Sequence, residues 1–246
     1  ADCTGVAAKL AGICGLNKQF PVMAAGLECI HKNVNDGRTA VFFIGSEISG
    51  CYGWLFPKSG NKIITGIGTI VKSQYPKLRK LFEQVIISRI EKLGYDTDVV
   101  DMNFAALRTG KPLKRFSYKN VIILGDSASQ ANPLIGEGIR FVMFASKCAA
   151  EAIKNAVSAC DEGKLKIYDK LWLKKYYQQY NFSYFMQKIL RFITKYDWIM
   201  DKGVEVMKTS SSHDFRRILS ADISPWLFIR LFLEAFWKIK ILGKKI

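Results

Sequence analysis

The chain has 246 residues, 49% of them hydrophobic, and a formal net charge of +16. That much apolar material builds a real core, which excludes general disorder, while the positive balance draws the protein toward polyanions, either nucleic acid or an acidic lipid surface. Six scattered cysteines with no CxxC pair exclude a zinc site of that pattern and a compact disulfide scaffold, so a reducing, cytoplasmic setting is expected.

Reading from the start, the opening lacks the basic-then-apolar run of a secretory signal, and residue 1 is Ala, so the chain is expected to start inside a longer reading frame. A short helix is expected over Val6 to Leu16. Runs rich in Val, Ile, Phe and Tyr predict strands over Phe20 to Ile30, Thr39 to Gly45, Gly50 to Phe56 and Ile63 to Val71. They are separated by turn clusters at Asn35-Asp36-Gly37 and Lys58-Ser59-Gly60-Asn61. Leu78, Leu81, Phe82, Val85, Ile86 and Ile90 recur at helical spacing and predict a helix over Pro76 to Leu93. A strand near Val99 to Leu107 follows, then a short apolar strand, Val121 to Leu124, expected to be buried on both faces.

From Gly138, the positions Ile139, Val142, Ala145, Ala149, Ala152, Ile153 and Ala156 mark a helix that buries one face. Beyond Lys164 the chain reads as helices, with breaks near Gly203, Ser210 to Ser212 and Ser224-Pro225. This region is basic and holds 17 of the 31 aromatic residues. Its longest apolar stretch, Trp226 to Trp237, is interrupted by Arg230 and Glu234, too soon for a membrane-spanning helix. Together the elements give an α+β fold with four parts. Residues 1-19 and 108-160 flank an antiparallel-sheet domain, 20-107, and 161-246 form a basic, aromatic-rich helical region.

Two segments carry chemistry. In the first, the short strand delivers Gly125 and Asp126 at its carboxyl end, where ligands of α/β sheets bind. A carboxylate there accepts hydrogen bonds from polyol hydroxyls. Pro133, Gly136, Glu137, Gly138 and Ile139 lead into the helix, whose first N–H groups and positive dipole end favour an anion. The plain alternative is a simple turn and helix start. In the second segment Tyr52, Trp54 and Phe56 alternate along one strand and share a face; Pro57 follows, then Gly66 and Gly68. Three aromatics make an apolar wall, and two glycines leave room for a flat ring or a long hydrocarbon, or else the wall is ordinary sheet core.

Taken whole, Gly125-Asp126 through Gly138 resembles the flavin-contacting motif of FAD-dependent enzymes of the p-hydroxybenzoate hydroxylase fold. The pattern Tyr-x-Trp-x-Phe-Pro, eight residues, Gly-x-Gly, with Arg108-Thr109-Gly110-Lys111-Pro112-Leu113, resembles the geranylgeranyl reductase family, FAD-dependent enzymes that saturate isoprenoid double bonds. Residues 1 to 160 fit well and the tail fits in character only; the resemblance implies that 1-19 are a remnant of the FAD-binding domain, 108-160 its closing strand and helix, and 20-107 the substrate domain. The resemblance implies that FAD is held by Gly125, Asp126 and Pro133 through Ile139. It also implies that the isoprenoid lies against Tyr52, Trp54, Phe56, Pro57, Gly66 and Gly68, with ferredoxin or NAD(P)H as electron donor. It names no catalytic proton donor.

The family's opening GxGxxG turn is absent, and the match begins at an Ala-Asp-Gly motif with Cys3 in place of Gly, so Asp2 is a weak carry-over. About the first third of the enzyme is expected to be missing from this sequence, lying either upstream in a longer reading frame or on a separate chain. Other readings stay open: a non-catalytic isoprenoid or membrane-lipid-binding subunit, or another FAD-dependent, monooxygenase-like enzyme. His31 and His213 lie far apart in sequence and are expected at the surface or at caps. Cys51 should face away from the wall as a buried structural thiol. The Ser224 to Leu242 helix, with polar stripe Arg230, Glu234 and Lys238 and basic neighbours Lys240, Lys244 and Lys245, either packs under another domain or lies on an acidic membrane surface. No nucleic-acid-binding signature or metal-ligand set accompanies the charge.

Overall fold

The computed structural model describes residues 1–16, 23–32 and 39–242. Along the chain come helix α1 (Lys9–Ile13) and strands β1 (Met23–Lys32), β2 (Val41–Phe43), β3 (Cys51–Lys58) and β4 (Lys62–Thr69). Helices α2 (Leu78–Leu81) and α3 (Ser88–Lys92) are joined by a π-helical turn over Phe82–Ile87. Strands β5 (Val99–Arg108), β6 (Ser117–Tyr118) and β7 (Val121–Ile122) precede helices α4 (Ile139–Ser158), α5 (Lys166–Ile193), α6 (Asp197–Thr209), α7 (Ser212–Leu219) and α8 (Pro225–Leu242). The α+β class read from the sequence is what the fold shows. The expected strand residues Phe20 to Val22, the Asn35-Asp36-Gly37 turn and the side chains of Lys238, Lys240, Lys244 and Lys245 lie outside the described residues.

The chain divides into two compact units. One comprises Val22–Leu107 with Leu190–Met200, the other Ala1–Pro21, Arg108–Ile189 and Asp201–Ile246. The sheet has strand order β2-β3-β4-β1-β5, and β2/β3, β3/β4 and β4/β1 pair antiparallel. Gly60 and Asn61, at φ 75° and 51°, turn the β3/β4 hairpin. One face of the sheet buries Leu27, Cys29, Cys51, Leu55, Ile63 and Ile67 beneath Leu78, Phe82, Ile86 and Ile90. Those four helical residues recur every four positions, which drifts off one face of a 3.6-residue helix; the π-helical turn holds them in line. At Gly53 a side chain would collide with Ile86, so glycine lets the helix settle onto the sheet.

The other unit has its core around α4 and α5. Phe141, Ala145, Cys148, Ala149, Ala152 and Ala156 of α4 pack against Tyr168, Trp172 and Tyr180 of α5. Phe141 meets Tyr180 edge-on at 5.0 Å, and Trp172 meets Phe116 at 4.9 Å. Much of the aromatic excess in the last third is therefore core. Three expectations need correcting. The stripe on α4 runs through Phe141 and Cys148, not through Ile139 and Ile153, which are 74% and 38% exposed. Gly203 lies inside α6 without breaking it, since one glycine costs a helix only about 1 kcal/mol. The opening helix is split: a 3-10 turn at Gly5–Ala7 precedes α1, parted by Ala8 at φ 46°.

Asp2 explains that split. Its backbone bridges Ile123 in parallel, with Asp2 N–H donating to Ile122 O (2.7 Å) and Leu124 N–H to Asp2 O (3.1 Å). Its fully buried carboxylate accepts from Thr4 N–H (2.9 Å), Thr4 Oγ1 (2.6 Å), Ala11 N–H (2.8 Å) and Ser127 Oγ (3.3 Å). A carboxylate from outside the helix thus caps α1. Burial alone would raise this carboxyl, but the hydrogen bonds outweigh it and hold it below the usual range.

Candidate functional site

The two groups of candidate residues fall on different units, and each is built locally. After β7 the chain makes a 3-10 turn over Gly125–Ala128, with Gly125 at φ 62° and its N–H held by Gln130 Oε1 (2.8 Å). Asp126 is half-buried. Burial raises its carboxyl above the usual range, and the Arg108 charge offsets that in part. Arg108 is itself buried, its Nε donating to Val6 O (2.5 Å). Three residues after Asp126, Ser129 stands at φ 52°, buried, its hydroxyl without a hydrogen-bond partner among the described residues.

The loop that follows is closed by its own backbone, Asn132 N–H to Glu137 O (2.8 Å) and Gly136 N–H to Asn132 O (2.9 Å), with Gly136 at φ 71°. Gly138 is the N-cap of α4, and no side chain caps that end from this position. Glu137 turns onto the helix instead, accepting from Arg140 N–H (3.1 Å) and Nε (2.7 Å). Pro133 is buried, whereas Ile139 is exposed. Hence Gly125, Asp126, Gly136 and Gly138 line one turn-and-helix start, while Glu137 shapes it from the side.

Sequence reasoning missed what supports this loop. Tyr168 OH donates to Ile123 O (3.1 Å) and accepts from Gln130 Nε2 (2.7 Å); Tyr180 OH donates to Gln130 O (2.5 Å). Asn132 Nδ2 donates to Ser183 Oγ (3.1 Å), and Gln187 Nε2 to Pro133 O (2.5 Å). Four residues spaced along α5 fix the backbone from 123 to 133. The signal available was their polarity on an otherwise apolar, helical face. Burial raises both tyrosine hydroxyls well above their ordinary range, so they stay protonated donors.

On the sheet, Tyr52, Trp54 and Phe56 share a half-buried face, opposite buried Cys51, Gly53 and Leu55. Cys51 therefore faces the core, its thiol raised by burial. Trp54 pairs across the ladder with Gly66 and Tyr52 with Gly68. The room that these glycines leave is taken by the indole: a side chain on Gly66 would collide with Trp54, and one on Gly68 would lie 3.4 Å from it. The glycines therefore lay Trp54 flat on the sheet and give a ligand no pocket of their own, which corrects the expectation of open space. Pro57 is exposed on β3 beyond the register that β2 pairs. Phe42, on β2, was missed; it is half exposed and meets Phe56 edge-on at 5.4 Å.

His31 also departs from expectation. It is fully buried on the core face, Nδ1 3.1 Å from Thr97 O and Nε2 2.7 Å from Thr65 Oγ1. A carbonyl only accepts, so Nδ1 carries the proton and the neutral ring accepts from Thr65. Burial lowers its pKa. His213 is exposed at the start of α7, as expected.

The loop from Gly125 to Gly138 can fit the ring end of a flavin: a half-buried carboxylate at Asp126 and a buried, unpartnered hydroxyl at Ser129 suit a polyol chain, and Gly138 puts no side chain at the N-cap of α4, although the Glu137 carboxylate already takes the Arg140 N–H there. A pyrophosphate-binding GxGxxG turn is absent from this sequence.

No family model matches the chain. It is 29% identical over 207 residues to digeranylgeranylglycerophospholipid reductase from Methanosarcina mazei, covering 82% of this chain and 49% of that protein. It is 24% identical over 230 residues to digeranylgeranylglycerophospholipid reductase 1 from Methanosphaera stadtmanae, covering 91% and 54%. The chain thus spans about half the length of these relatives. Among solved structures, a geranylgeranyl bacteriochlorophyll reductase-like protein from Thermoplasma acidophilum superposes with TM-score 0.79 at 18% identity, over 98% of this chain and 60% of that one. The flavin-dependent brominase Bmp2 follows less closely, with TM-score 0.57 at 16% identity over 82% and 50%. Sequence and fold together relate this chain to the geranylgeranyl reductase family.

Proposed function

We propose that this chain is the substrate-holding and ring-holding half of an FAD-dependent reductase of isoprenoid double bonds, acting on geranylgeranyl chains of membrane lipids or their precursors. The observation that carries this is the Gly125–Gly138 turn, in a chain whose sequence relatives are reductases of such lipids. Asp126, with its raised carboxyl, and the Ser129 hydroxyl would hold the polyol chain, and the start of α4 at Gly138 would lie beside the ring. When bound and reduced, FAD supplies a hydride to one alkene carbon, and a proton completes saturation. An isolated alkene is a poor hydride acceptor, so alignment governs the rate. Tyr52, Trp54 and Phe56, with Phe42 and the Gly66 and Gly68 backing, present a flat apolar platform for the prenyl chain. No residue here is assigned as the proton donor.

These 246 residues hold no GxGxxG turn for the pyrophosphate half of FAD, so by themselves they are expected to bind FAD weakly; an acidic membrane, where such lipids reside, is the expected surface. The test completes the chain with the part of the Methanosarcina mazei relative outside the aligned region, adds FAD and dithionite, and weighs a geranylgeranyl lipid by mass spectrometry. A gain of two hydrogens per double bond supports the reading. Unchanged lipid, with flavin bound and reduced, leaves the lipid-binding subunit as the better account.

A further inference from the structure

The segment Leu190–Met200, which turns from α5 into α6, belongs to the sheet unit, where it is pinned to the loop between β2 and β3. The Asp197 carboxylate accepts from Ser46 N–H (2.7 Å) and Oγ (2.5 Å), and the buried Thr194 Oγ1 accepts from Gly50 N–H (3.1 Å). The turn also closes its own backbone: Thr194 N–H donates to Leu190 O, Tyr196 N–H to Ile193 O and Ile199 N–H to Tyr196 O. On this fixed frame Phe192, Tyr196 and Trp198 stand 60%, 42% and 69% exposed, with Phe192 and Tyr196 in ring contact at 5.7 Å. Cations flank the rings. Arg191 and Lys195 are exposed, Lys195 Nζ lying 6.0 Å from the Phe192 centroid. Exposed Lys72 opens the 3-10 turn Lys72–Lys77, whose Gln74 Nε2 donates to Ser49 O (3.4 Å) on the same loop. The nearby acids are engaged, Asp197 by Ser46 and Glu47 by Arg89 (2.7 Å). Among the described residues Arg191, Lys195 and Lys72 make no ion pair.

We infer that this turn docks on an anionic phospholipid bilayer, with Phe192, Tyr196 and Trp198 in the interface and Arg191, Lys195 and Lys72 on the head groups. Aromatic rings bordered by Arg and Lys suit a boundary where phosphate overlies hydrocarbon. A backbone that satisfies itself can enter that boundary without leaving peptide groups unpaired, and a turn already pinned by Asp197 and Thr194 loses little freedom on binding. A second copy is the poorer occupant, because face-to-face contact would set these cations against one another. The meaning of the docking rests on the reductase reading: Ile44, 40% exposed, leads from the Ser46 contact to Phe42, which meets Phe56 of the prenyl platform. The docked turn thus sets the platform beside the layer in which the lipid substrate lies.

The test mixes the full chain, without flavin, with phosphatidylcholine vesicles that either contain or lack phosphatidylserine at about a third of the lipid. Amide exchange is followed by mass spectrometry. Peptides covering Leu190–Met200 should exchange at least about ten-fold more slowly on the anionic vesicles than in the free chain. Sedimentation then compares variants in a chain already carrying Trp226→Ala, so that α8 adds little. Trp198→Ala and Lys195→Glu, both at side chains already in water, should leave circular dichroism unchanged and each weaken pelleting by about ten-fold. An unprotected turn on anionic vesicles, variants that pellet like their parent, equal pelleting on neutral vesicles, or a vesicle-free dimer with the turn already protected would each overturn the proposal. These vesicles hold no isoprenoid, so a completed enzyme that docks through this turn yet reduces no lipid defeats the reductase reading alone. Reduction of detergent-dispersed lipid by an enzyme whose turn does not dock defeats the docking alone.

Discussion

Single residues set the chemistry and part of the stability. Asp126 is the clearest: in the completed enzyme Asp126→Ala should weaken FAD binding by about ten- to a hundred-fold, the worth of a hydrogen bond to a charged group, with circular dichroism unchanged. Unchanged affinity by fluorescence titration would remove it from the site. His31 carries a pH dependence. Its folded pKa lies below the ordinary 6.5, so the unfolded chain takes up the proton first; stability is full above that value and falls as pH drops below it. Urea unfolding at pH 7.5 and 5.5 should show this loss, and His31→Gln should flatten it; an equal slope in the variant would contradict the assignment. Asp2 acts in a separate window, because its depressed carboxyl contributes stability that is lost only as pH falls below about 3.8. Neither role was legible in the sequence, since the partners of His31 and Asp2 lie up to 66 and 125 residues away.

At the scale of elements, the alternation of Tyr52, Trp54 and Phe56 was readable because strand periodicity is local. The meaning of Gly66 was not, because it depends on the register that sets Gly66 opposite Trp54. Gly66→Ala should destabilise the sheet by about 1 to 3 kcal/mol through overpacking, measured by urea unfolding, and Trp54→Ala in the same chain should recover part of that loss. Full additivity of the two changes would mean that the indole does not occupy the glycine's place. Likewise the helical region after residue 161 was legible as helix, yet its role as the frame of the Gly125–Gly138 loop was hidden in single polar residues on α5. On α8, Trp226, Ile229 and Leu233 are 75%, 47% and 50% exposed, and Arg230 reaches Asp214 at 2.6 Å. That helix is expected to bind vesicles containing about a third phosphatidylserine, weakening with salt and with Trp226→Ala; sedimentation checks it, and equal pelleting of the variant would contradict it.

For the whole molecule, the net charge is +16, and among the described residues no helix is long and apolar enough to cross a membrane. Under the proposed function a lipid substrate would meet the protein at a membrane surface, with rate set by how its alkene is laid against the flavin. The central claim of the proposed function is that the Trp54 platform lays the alkene against the flavin. Anaerobic stopped-flow at the flavin absorbance, with the completed and reduced enzyme mixed with geranylgeranyl lipid, tests it directly. Reoxidation should be lipid-dependent, and Trp54→Ala should slow it by about a hundred-fold with FAD affinity nearly unchanged; equal rates in wild type and variant, or no lipid-dependent reoxidation in either, would contradict the account.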